Sequence, residues 1–89
     1  MYVKVKLAGG DWFSDSDVLW EGEVPGGETI RPGHSVTLDA KENVAVFRVL
    51  SCGVRLSSEA SISGKSASMM IYVSPTGVES TKAAQSLLG

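Results

Sequence analysis

His34 and Cys52 are the only histidine and the only cysteine in the 89 residues. They set the limit on what covalent or acid–base chemistry the chain can attempt. Nucleophilic catalysis needs a hydroxyl or thiol, a base and a group that orients the base. Here a single imidazole would serve as base. Cys52 closes the apolar run "VAVFRVLSC", where a free cysteine behaves as a small hydrophobe. No serine stands in a strand–turn–helix elbow, and no glycine-rich loop opens a helix. A complete catalytic constellation is therefore missing, and a non-enzymatic chain without cofactor is expected.

Two stretches invite a binding reading. "DWFSDSD" places Asp11, Asp15 and Asp17 as hard oxygen donors on one loop, but the spacing and the glycine of an EF-hand are absent. A polar turn that satisfies its own backbone is the expectation there, with no metal. Trp12 and Phe13 sit in that polar loop, either capping one end of the fold or serving as exposed anchors for a partner. "VPGGETIRPGHSV", residues 24–36, holds two of the three prolines, three of the ten glycines and His34. Pro25 presets φ for a type II turn and Gly26 supplies the positive φ at the next position; Pro32–Gly33 repeats the device. Between the turns, "ETI" is long enough for a brief edge segment. Arg31 and His34 form a candidate anion or partner site on this loop. "PGHSVTL" resembles the turn-then-strand phrase of immunoglobulin-like sandwiches over seven residues. No cysteine follows on that strand, so the likeness is one of turn chemistry.

The elements that must position these residues are mostly strands. Eleven valines favour pleated, half-buried surfaces. "MYVKVKL" alternates, with Met1, Val3, Val5 and Leu7 on one side and Tyr2, Lys4 and Lys6 on the other. "VLWEGEV" alternates too. It sets Val18, Trp20 and Val24 inward, Trp20 in the core, with Gly22 marking a bulge or a close approach by another backbone. "SVTLDA" is a further strand. "VAVFRVLSC" is apolar on both faces and reads as a strand covered on both sides. "VRLSSEA" and "MMIYV" complete the strands. "ESTKAAQSLLG" reads as a short helical tail over 80–89, capped by Ser80 or Thr81, with Leu87 and Leu88 on its apolar face.

The fold expected is one domain over 1–89: an all-β, small antiparallel β-sandwich or Greek-key barrel of six to seven strands with a short C-terminal helix. A complete sandwich leaves the tail no inner face to fill, so it is expected to dock on a neighbouring molecule. Net charge −2 and eight scattered cations make nucleic acid an unfavoured partner. No run is long enough for a membrane span, and one cysteine forms no internal disulfide. A reducing, non-secretory setting follows, cytoplasmic or virion-associated.

The function expected is a structural or protein-interaction module that self-assembles as a homo-oligomer or joins a larger complex, such as a virion or phage accessory protein. Its partner-binding candidates are Trp12, Phe13, Arg31, His34, Leu87 and Leu88. A small inhibitor or adaptor that binds one target through its loops is the alternative. A carbohydrate or single-stranded nucleic-acid binder is a third reading, resting on outward Tyr2 and Tyr72 beside Lys4 and Lys6.

Overall fold

The computed structural model describes residues 1–9, 17–40, 43–56 and 67–88. They form β1 (Tyr2–Leu7), β2 (Val18–Glu23), a 3-10 turn (Gly27–Thr29), β3 (Ser35–Ala40), β4 (Asn43–Leu56), β5 (Ala67–Pro75) and α1 (Val78–Leu88). The strands make one five-stranded sheet in the order β2-β1-β5-β4-β3. Neighbours run antiparallel except β1 and β5, which are parallel. The all-β expectation with a C-terminal helix holds. The described residues make a single mixed sheet rather than two packed layers.

The described residues contain five strands against the six to seven expected, and two of the strand readings change for local reasons. Gly53 does not end a strand: β4 runs through it, and "VAVFRVLSC" and the start of "VRLSSEA" are one element. "ETI" is not an edge segment either, because Gly27–Thr29 closes as a 3-10 turn with Thr29 N–H on the Gly26 carbonyl at 2.9 Å.

A β-bulge explains how β4 keeps both halves useful. Val49 faces Val73 and Ser51 faces Tyr72, so Leu50 is an extra residue. Before the bulge Ala45, Phe47 and Val49 point into the core; after it Cys52 does. One inserted residue exchanges the faces. Val44 and Leu50 lie exposed on the other side, so β4 is not the strand covered on both faces. That strand is β5, where Ser68 to Val73 are all buried, as suits its place in the middle of the sheet.

The core gathers Val3, Val5, Leu19, Phe47, Val49, Ile71 and Val73 under Ala83 and Ala84 of α1. The tail therefore packs on its own sheet. A one-layer sheet has an uncovered apolar face, and the helix covers it. Ser80 does not cap the helix. Its buried Oγ accepts from the Val46 amide at 3.0 Å, and Thr76 donates to the Val46 carbonyl from both its amide (3.0 Å) and its hydroxyl (2.9 Å). These contacts satisfy Val46 just past its neighbour Phe47, which pairs with Pro75 at the end of β5. At the helix start, the Thr81 hydroxyl donates to the Gly77 carbonyl at 2.7 Å.

Candidate functional site

The outer strands of the sheet, β2 and β3, face each other across an apolar groove of about 420 Å³. Val3, Val5 and Ile71 form its floor, Leu87 of α1 and Ile30 contribute to its walls, and Val36 and Leu38 line it from β3. Thr37 and Asp39 stand at the rim, and Asp39 is the one ionisable group among the lining residues. The volume falls within the range of binding clefts, roughly 300–1,000 Å³.

Trp20 walls the groove from the β2 side. Its partner across the ladder is Val5, a core residue, so Trp20 occupies the inward face as the alternation predicts. It is nevertheless 41 % exposed, and the expectation of a core tryptophan is corrected: at the edge of the sheet no further described strand covers it. The close approach at Gly22 is made by the indole itself. A Cβ on Gly22 would lie 2.9 Å from Trp20 Cη2, so glycine leaves the room the ring occupies. A second bulge adds Leu19 to the same wall. Val5 faces Trp20 and Lys6 faces Val18, which makes Leu19 the extra residue, and it is buried in the core.

The edge of β3 is built differently. Its six pairs with β4 run from Ser35–Arg48 to Ala40–Asn43 without a shift. Val46 directs its amide and carbonyl toward Ser80 and Thr76, away from β3. In an antiparallel ladder the direction alternates residue by residue. Val36 and Leu38 therefore bond to β4, and the backbone of Ser35, Thr37 and Asp39 points to the open edge, where no described strand pairs with it.

The 24–36 loop links the two edges, and its prolines and glycines only turn the chain. Gly26 has φ 73° and Gly33 φ 93°. Gly27 N–H reaches the Val24 carbonyl at 3.0 Å and His34 N–H the Arg31 carbonyl at 3.1 Å, closing both expected turns. Arg31 and His34 meet in the fold, where they hold the loop together. The guanidinium donates to the carbonyls of Glu28 (2.7 Å) and Ile30 (2.9 Å), and His34 Nδ1 accepts from the Arg31 amide at 3.2 Å. Cys52 Sγ–H donates to the Ile30 carbonyl at 3.4 Å, tying the loop to β4.

Leu87 and Leu88 are half-buried on their own core, Leu87 at the groove. Trp12, Phe13, Asp11 and Asp15 lie outside the described residues. The face carrying Tyr2, Lys4, Lys6 and Tyr72 is not the open platform expected. Tyr2 donates to Glu21 at 2.8 Å, and Lys4 stands 3.9 Å from the same carboxylate. Lys6 is 1 % exposed, and Tyr72, its partner across β1 and β5, is buried beside it. The hydrogen bond to Glu21 holds the Tyr2 hydroxyl above its ordinary value, and burial raises that of Tyr72 against the opposing pull of Arg55. Both phenols thus stay neutral well above physiological pH.

Among the described residues, no helix is long and apolar enough to cross a membrane, and no group of three or more His, Cys, Asp or Glu is placed to hold a metal. Comparison with protein families, with curated proteins and with solved structures finds no match.

Proposed function

We propose that the chain is a non-enzymatic protein-interaction module whose working surface is the groove between Trp20 and the open edge of β3. The observation that carries this reading is the coincidence of an exposed tryptophan, an apolar cavity and an unguarded strand edge on one face. A small apolar molecule would fill the cavity and leave the edge backbone of Thr37 and Asp39 to water. A protein segment satisfies both at once. Aromatic walls of this kind supply much of the binding energy at interfaces. A lone carboxylate among apolar lining residues suits recognition better than catalysis. An added strand would also carry the curled sheet toward the barrel closure anticipated from the strand pattern. With α1 engaged on its own core, membership of a larger complex rests on the groove and not on the tail.

A photo-cross-linking residue at position 37, in the full chain inside its own cell, tests this. A discrete protein adduct is expected, and none from the same residue at position 78, where Val78 is exposed at the start of α1. An adduct of twice the chain's mass would identify the partner as a second copy. No adduct from position 37, or equal adducts from both positions, would overturn the reading.

A further inference from the structure

We infer that the occupant of the groove is an extended, basic segment of a partner protein that adds to β3 as a further strand, alternate side chains entering the groove; this rests on the interaction reading above. Three observations point to it. The first is which edge is available. β2 carries a bulge at Leu19, a device that blunts an edge against pairing. β3 has neither bulge nor proline nor lysine, and its register is unbroken. Its outward backbone groups recur at Ser35, Thr37 and Asp39, the spacing a strand offers to a new neighbour.

The second is the period. Val36 and Leu38 line the groove from β3. A strand paired beside them places every second residue over the same cavity, between Leu38 and Trp20, and turns the intervening residues to solvent. Apolar residues are thus required at alternate positions only.

The third is charge. Residues 17–40 comprise both edge strands and the loop between them. They carry five carboxylates, Asp17, Glu21, Glu23, Glu28 and Asp39, against one permanent cation, Arg31. Arg31 is already engaged with the carbonyls of Glu28 and Ile30. Glu21 and Glu23 are engaged in turn by Tyr2, Lys4 and the N-terminal ammonium, so it is Asp39 at the groove rim that favours a basic occupant. The chain's own β1 shows the matching pattern. "YVKVKL" alternates apolar and basic residues and lies against β2, with Lys4 3.9 Å from Glu21 and the N-terminal ammonium 3.3 Å from Glu23.

The test uses the full chain and short capped peptides alternating valine with lysine or valine with glutamate, read by calorimetry and by amide hydrogen exchange. The valine–lysine peptide should bind and slow exchange at Thr37 and Asp39 at least about tenfold; the valine–glutamate peptide should bind at least about tenfold more weakly. Thr37→Pro removes an outward amide without touching the ladder to β4, and Asp39→Lys reverses the rim charge. Each should weaken the valine–lysine peptide by about tenfold or more with the melting temperature kept. Binding that leaves exchange at Thr37 and Asp39 unchanged would overturn strand addition. Equal binding of both peptides would overturn the charge preference. If position 37 cross-links to a partner in the cell but no peptide binds, this inference fails alone. If the cross-link is also missing, the groove reading fails with it.

Discussion

Phe47→Ala should destabilise the protein by about 3–5 kcal/mol, the range for removing a buried aromatic ring. Phe47 is 0 % exposed on the core face of β4, paired with Val36 of β3 and Pro75 of β5. Its neighbour Val46 is held by Ser80, so the hole would open beside the junction of sheet and helix. Domains of this size have little stability to spare, on the order of 5 kcal/mol. The variant is expected to be largely unfolded at 37 °C. Phe47→Leu keeps most of the volume and should cost clearly less. Chemical denaturation of both variants checks the expectation; a loss below about 1 kcal/mol for the alanine variant would mean the ring is not a core element.

Removing α1, by ending the chain at Gly77, should lower stability by an amount on the order of 4 kcal/mol and leave the number of chains per particle unchanged. Ala83 and Ala84 are buried against the sheet, and Leu87 and Leu88 are half-buried on the same core. Their transfer from water, at roughly 0.8 kcal/mol per buried methylene, makes up most of the figure. The Ser80 bond to the Val46 amide adds about 1 kcal/mol. The truncated chain would also bare the apolar face of β1 and β5. Light scattering and thermal melting of the two lengths separate the outcomes. Fewer chains per particle with an unchanged melt would mean that the tail docks on a neighbour after all.

Much of the local structure was legible because it depends on local chemistry. The two Pro–Gly turns need only a fixed φ followed by a positive one, and residues 24–36 spell that out twice. The inward face of β1 follows from alternation, and the burial of Phe47 from its apolar surroundings. The misses share another cause. A bulge leaves no mark in an alternating pattern: Leu50 and Leu19 read as ordinary strand residues, and only the sheet partner shows that they are extra. The parallel pairing of β1 with β5 joins residues almost seventy positions apart, and it decides that β5 is central and that Lys6 lies beside Tyr72. The groove depends on the same long-range order, since it exists only because β2 and β3 end up as the two edges. One signal for Trp20 was present. Gly22, two residues on and on the same face, left space that the indole fills, and that pairing marks an aromatic lying along its own strand.

The central claim is that the edge of β3 stands open beside the groove. Amide hydrogen exchange along Ser35–Ala40 in the full chain, without any partner, tests it most directly. Val36 and Leu38, bonded to β4, should be protected, while Ser35, Thr37 and Asp39 should exchange at least roughly tenfold faster. Equal protection at all of these positions would show that the edge is already covered, and would contradict the account.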